Sequence, residues 1–96
     1  MVSYPRATFA DLAQVRHHRP VVVLDVRRNL EYKQAHLPDA VHIPLHELSG
    51  RLPEVPEGEV WVHCAAGYRA SVAASVLHAT GRRVVVIDDD FAGALG

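Results

Sequence analysis

The chemistry of this 96-residue chain centres on Cys64, its single cysteine, and on what surrounds it. The β-prone run Val60-Trp61-Val62-His63 ends at the cysteine, and Ala65-Ala66-Gly67-Tyr68-Arg69 follows before a helix-like stretch starting near Ala70. That order aims a thiol at a helix N-terminus, where free N–H groups and the macrodipole favour an anion. A thiol so placed has a lowered pKa and a raised thiolate fraction. A lone cysteine is ordinarily a small buried hydrophobe. Three features set this one apart: its place at the strand end, the freedom of Gly67 to curl the loop with its N–H groups inward, and the fixed positive charge of Arg69 nearby. The reading is a reactive or anion-loading cysteine, cradled by the backbone of Ala65, Ala66, Gly67, Tyr68, Arg69 and Ala70.

Other candidates are weaker. Asp25 closes the apolar run Val21-Val22-Val23-Leu24, and Arg27 and Glu31 follow it. Arg27 with Glu31 reads as a structural ion pair, and Asp25 as a structural group near the loop. Arg69 has two readings: it holds the anionic end of a substrate, or it braces the loop through a carboxylate such as Asp25. Tyr68 shapes the mouth. Seven histidines invite a metal. However, Pro44 between His42 and His46 spoils a helical ligand pair. His63, next to Cys64 on a strand, points to the other face and is no base for the thiol. No metal site and no Gly-rich nucleotide loop is expected, hence no cofactor.

Strands and helices must position these groups. Thr8 caps a first helix from Phe9 to about Val15, with Phe9, Leu12 and Ala13 on one face. Residues 21–26 form a continuous apolar run of the kind buried on both sides in a parallel sheet. Asn29 caps a short helix through Gln34. Residues 41–43, 59–63 and 84–87 read as further strands. Residues 45–52 hold a brief helix, and 53–58 a surface loop. The helix after Ala70 runs to Thr80, with Val72, Val76 and Ala79 in one stripe, Ala73 and Leu77 beside it, and Gly81 ending it. Alternating strands and helices mean an α/β domain with a mainly parallel sheet, whose ligands bind at the carboxyl ends of the strands. Asp25 and Cys64 both stand at such ends.

Composition sets bounds. Hydrophobic residues are 49% and charged residues 22%, ordinary for one globular domain over 1–96. A net charge of −1 gives no electrostatic footprint for nucleic acid. One cysteine excludes an internal disulfide and fits a reducing compartment, and no stretch is apolar enough for a signal peptide or a membrane span. The expectation is a cytoplasmic domain that engages neither nucleic acid nor membrane.

Four collinear segments resemble the rhodanese family of sulfurtransferases. They are Leu24-Asp25-Val26-Arg27 with Glu31-Tyr32, then His36-Leu37-Pro38-Asp39-Ala40-Val41-His42-Ile43-Pro44 with Asp39 replacing the usual Gly. The third is Cys64-Ala65-Ala66-Gly67-Tyr68-Arg69-Ala70-Ser71, and the fourth is Gly81 with residues 84–87. The resemblance implies a parallel sheet with helices on both faces. It also implies a Cys64 persulfide that takes sulfane sulfur from thiosulfate or a small persulfide and passes it to a thiol or cyanide. Partners would be small sulfur-containing anions and thiols, or a fused or partner protein. A non-catalytic module and the sulfur-carrier part of a larger persulfide-metabolising protein are the alternatives. Four residues separate Cys64 from Arg69, one fewer than in dual-specificity phosphatases, which goes with sulfur rather than phosphate. Asp89-Asp90 stand where the family commonly has Gly-Gly, then Phe91 with no Trp. These departures predict a truncated C-terminal helix, and aspartates that repel anions if they face the pocket.

Overall fold

In a computed structural model, residues 4–94 are described. The readings of the N-terminus as leaderless and of the chain's early end depend partly on residues outside that range. Five strands form one parallel sheet: β1 (Arg6–Ala7), β2 (Val22–Asp25), β3 (Val41–His42), β4 (Val60–His63) and β5 (Val84–Ile87), in the order β1-β5-β4-β2-β3. Parallel neighbours need crossovers, and the helices α1 (Phe9–Val15), α2 (Asn29–Gln34) and α3 (Tyr68–Ala79) supply three of them. Two 3-10 turns, Leu45–Gly50 and Leu52–Glu54, link β3 to β4, and α4 (Phe91–Ala94) follows β5.

Strand alternation sorts the core onto two faces. On one, Leu24, Val60, Val62 and Val86 pack under α3 and the first 3-10 turn, through Ala70, Ala73, Ala74, Leu77 and Leu48. On the other, Val23, Trp61 and Ile87 pack under Phe9, Leu12, Val15 and Phe91. Each such large side chain, fully buried, contributes about 1.5–3 kcal/mol.

Thr8 caps α1 as expected: its Oγ1 accepts the Asp11 N–H, and the Asp11 carboxylate accepts the Thr8 N–H, a reciprocal capping box. Three expectations need correction. The buried face of α1 ends on Val15, and Ala13 is exposed. In α3 the buried residues are Ala70, Ala73, Ala74 and Leu77, whereas Val72 and Ala79 are exposed. That helix is apolar on most sides, so periodicity cannot choose a face; the small alanines let it approach the sheet closely. Finally, α2 is capped by Arg28 rather than Asn29, with Glu31 Oε1 accepting the Arg28 N–H at 2.9 Å.

The strand β1 carried no signal. It has two residues and follows a proline, and it forms only because Val86 and Asp88 donate their N–H groups to Pro5 and Ala7 carbonyls, both at 2.9 Å.

Candidate functional site

The register that sets Leu24 beside Val62 and Asp25 beside His63 gathers the site at the carboxyl edge of the sheet. Cys64 is the first residue past β4. Its Sγ accepts N–H groups from Gly67 at 3.0 Å and Ala70 at 3.3 Å. The loop therefore wraps the sulfur at the start of a 12-residue helix. Of the six backbone positions expected to form the cradle, Gly67 and Ala70 donate to sulfur, and no such bond runs from Ala65, Ala66, Tyr68 or Arg69.

Gly67 makes the wrap possible. Its φ is +108°, and a Cβ there would stand 2.5 Å from Asp88 Oδ1 and 3.3 Å from Asp88 Cα. No L side chain fits that space without movement. Ser71 doubles the lock, giving both its N–H and its hydroxyl to the Gly67 carbonyl, at 3.0 and 3.1 Å.

Cys64 is only 2% exposed and packs in the core under α3. Tyr68 is 81% exposed at the rim. His63 turns to the opposite face, where its ring stacks parallel to Phe91 and edge-on to Phe9. Its Nε2 has no hydrogen-bond partner and lies 3.8 Å from Asp25 Oδ2. Burial holds its pKa below the ordinary histidine value, and the Asp25 charge opposes that only in part.

The expected ion pairs are exchanged. Arg27 grips Asp25, not the Glu31 carboxylate: Nε donates at 3.0 Å and Nη2 at 2.7 Å. Its remaining donors reach the Ala35 carbonyl at 2.8 Å and the Glu31 carbonyl at 3.4 Å. The guanidinium also lies 3.8 Å over the Phe91 ring. Arg69 pairs with Glu31, not Asp25, through bonds of 2.6 and 3.0 Å. The physical reason is geometric. Two residues apart at a strand end, Arg27 folds back onto Asp25, while the first turn of α2 presents Glu31 to α3. The hydrogen bond from Arg69 lowers the Glu31 pKa to about 2, helped by the Arg28 N–H, and Glu31 in turn raises the Arg69 pKa.

The acidic run after β5 does not crowd the sulfur as a block. Asp89 accepts the Phe9 N–H at 3.0 Å, at the start of α1. Asp88 pairs with Arg6 at 3.1 Å while lying against Gly67. The Phe91 N–H donates to the Ala65 carbonyl at 2.9 Å, so α4 ties down the loop from that side. This tether carries no sequence signal, because it is a backbone contact across 26 residues.

Two shallow depressions border Arg69. One of about 340 Å³ is lined by Arg28, Leu30, Glu31, Gln34 and Arg69. The other, of about 210 Å³, is lined by Val26, Arg28, Leu45, His46 and Arg69. Among the described residues, no cluster of three or more His, Cys, Asp or Glu could hold a metal, and no helix is long and apolar enough to cross a membrane.

The arrangement can stabilise negative charge on a buried sulfur at a helix N-terminus. Comparison with known proteins agrees with that chemistry. A sulfur carrier protein described as putative, YrkF of Bacillus subtilis, is 40% identical over 65 residues, covering 67% of this chain and 35% of its own length. A sulfurtransferase of Allochromatium vinosum is 32% identical over 62 residues, covering 64% of this chain and 58% of its own. Among solved structures, an NAD-dependent persulfide reductase from A. fulgidus matches with a TM-score of 0.75 and 30% identity, over 93% of this chain but 15% of that one. The chain thus spans only part of the length of these three proteins. The family description "Rhodanese-like domain" matches residues 8–94, and with the five-stranded parallel sheet and the cysteine loop in place, this chain belongs to the rhodanese-like family.

Proposed function

We propose that Cys64 carries sulfur. The thiolate attacks the sulfane sulfur of thiosulfate or a small organic persulfide. One S–S bond forms, the donor's S–S bond breaks, and sulfite or a thiolate leaves with the electron pair. A thiolate or cyanide acceptor then attacks the outer sulfur, the Cys64 S–S bond breaks, and the Cys64 thiolate returns. The two steps balance without an external oxidant or reductant. The observation that supports this best is the pair of N–H donors on Sγ from Gly67 and Ala70, aimed at the thiolate that attacks the donor and that returns when the acceptor takes the sulfur. Donors and acceptors would be small sulfur-containing anions and thiols, in a reducing compartment such as the cytoplasm.

A second reading is favoured by coverage. The chain spans 35% of the B. subtilis relative and 15% of the persulfide reductase, which suits a sulfur-carrying part of a larger persulfide-metabolising assembly.

The test is intact mass after incubation with thiosulfate and, separately, glutathione persulfide. Addition of one sulfur atom, removable by cyanide or dithiothreitol, is expected. Cys64→Ser should fold, since the hydroxyl can accept the same N–H groups, yet gain nothing. An unchanged mass with both donors rules the reading out.

A further inference from the structure

Arg69 is the loop's own cation, and Glu31 already neutralises it through two short hydrogen bonds. An anionic substrate must displace Glu31 to reach Arg69, so an unpaired cation nearby has the advantage. Arg28 is the neighbouring candidate. It is exposed, its guanidinium makes no ion pair or hydrogen bond among the described residues, and it lines both depressions that border Arg69.

The two depressions are not equivalent. The larger contains the Glu31 carboxylate, which disfavours an anion. The smaller has Val26 and Leu45 as apolar walls, with Arg28, His46 and Arg69 around them, and no carboxylate in its lining. The acids that touch its lining are already paired: Glu31 with Arg69 at 2.6 Å, and Glu47, 3.3 Å from His46, with Arg51 at 2.9 Å. The smaller depression, which Cys64 itself does not line, connects to the cysteine loop through its lining residues. The Val26 N–H donates to the His63 carbonyl at 3.1 Å, one residue before Cys64, and Arg69 precedes Ala70, whose N–H touches Sγ.

Sheet order gives the loop two unlike flanks. On the β5 side stands Asp88, against Gly67; on the β2 side stand Val26 and Arg28. An anionic tail leaving the sulfur meets an acid already paired with Arg6 on the first flank and the unpaired Arg28 on the second. The volume of about 210 Å³ is below the roughly 300–1,000 Å³ of drug-sized sites, so the tail is short.

The geometry points to Arg28 as a specificity-determining residue that selects small organic persulfides with a short apolar stem ending in a carboxylate. This rests on the sulfur-carrier reading of Cys64. The stem lies on Val26 and Leu45, and the guanidinium takes the carboxylate in a two-pronged hydrogen bond.

The experiment compares the rates at which Cys64 is persulfidated by the hydropersulfides of mercaptopropionate, mercaptoethanol and cysteamine, with carboxylate, neutral and cationic tails. Intact mass gives the rates. The carboxylate donor should react about tenfold faster than the neutral one, with the cationic donor slowest. Arg28→Gln should bring the carboxylate-to-neutral ratio to about one, and Arg28→Lys should restore part of it. The advantage should also shrink with added salt. Equal rates for the three donors in the native chain, or a ratio unmoved by Arg28→Gln, would overturn the role of Arg28 while leaving the sulfur carrier standing. Failure of all three donors to modify Cys64 would overturn both.

Discussion

Arg27 with Asp25 and Arg69 with Glu31 are the same chemical pair in two settings. The first is sealed, with side chains 5% and 0% exposed, and the second is half open, at 27% and 33%. Arg27 spends its donors on one carboxylate and two carbonyls beneath the Phe91 ring, which fixes the end of β2 beside His63. Arg69 spends its recorded hydrogen bonds on Glu31 alone, tying α2 to α3 across the mouth. Burial makes the first pair a structural commitment: either partner left alone is an uncompensated charge or an empty hole. Solvent makes the second pair exchangeable, because water or a substrate can replace either partner at modest cost. One arginine builds the frame and the other stands where a substrate arrives.

The sharpest way to break the contrast is to delete one carboxylate from each pair. Asp25→Ala strands the Arg27 guanidinium in the interior and should cost about 3–5 kcal/mol, with a fall of more than roughly 10 °C in the thermal midpoint. A loss under about 1 kcal/mol by urea unfolding would show that the buried pair is no firmer than a surface one.

Acid should sort the two regions by pH. His63 is held neutral by burial, so its folded pKa lies below its unfolded value of 6.5. Below that value the unfolded chain binds the extra proton first, and stability falls as pH drops through the window beneath 6.5. His63→Phe, which also removes the orphan Nε2, should flatten the thermal midpoint between pH 7 and pH 5, within the range set by that shift. Glu31 behaves in the opposite sense. Its pKa is depressed from 4.5 to about 2, so its contribution is intact above about 4.5 and is lost only as pH falls toward 2. The difference in midpoint between the native chain and Glu31→Gln should thus be constant near neutrality and close in that acid window. An acid slope between pH 7 and pH 5 unchanged by His63→Phe would move the titration to another group.

The smallest stability effect carries a functional gain. Glu31→Gln should cost roughly 0.2–1 kcal/mol, yet free Arg69 to hold a sulfonate. Thiosulfate transfer should then rise by up to about tenfold, and a second change, Arg69→Ala, should cancel the rise. In the native background Arg69→Ala should alter thiosulfate transfer little. A tenfold loss there would mean that substrate displaces Glu31 unaided, and that the open pair is a substrate contact already.

How far the sequence alone reached can be judged element by element. Residues 84–87 are four β-branched residues in a row, and the strand occupies those positions. Thr8 announced the start of α1 through local chemistry, and the structure adds Asp11 as the other half of a capping box. The cysteine at a strand end before Gly67 located the loop, because a strand, a glycine and a helix in succession leave the backbone few ways to turn. What depended on distance along the chain was not legible. Glu31 and Arg69 are 38 residues apart, and Asp25, Glu31, Arg27 and Arg69 can be paired in two chemically sensible ways. Spacing favours Arg27 with Glu31, four apart, whereas in the structure Arg27 folds back onto Asp25, two residues away, and the first turn of α2 leaves Glu31 to Arg69.

The sequence by itself determined the types of β2 to β5 and of α1 to α3, the parallel α/β class, the placement of one thiol at a strand end and the glycine that lets the loop close. These rest on local backbone preference and on side-chain alternation, which act within a few residues. The tertiary structure alone decided that two N–H groups rather than a full ring meet the sulfur, and that α4 is pinned to the loop through the Ala65 carbonyl. It also decided that Asp89 serves α1 and that the loop's arginine is already paired. Each of these is a contact between groups that the chain brings together only when the sheet is assembled, and the energy that selects among them is set by which charges end up sealed and which stay wet.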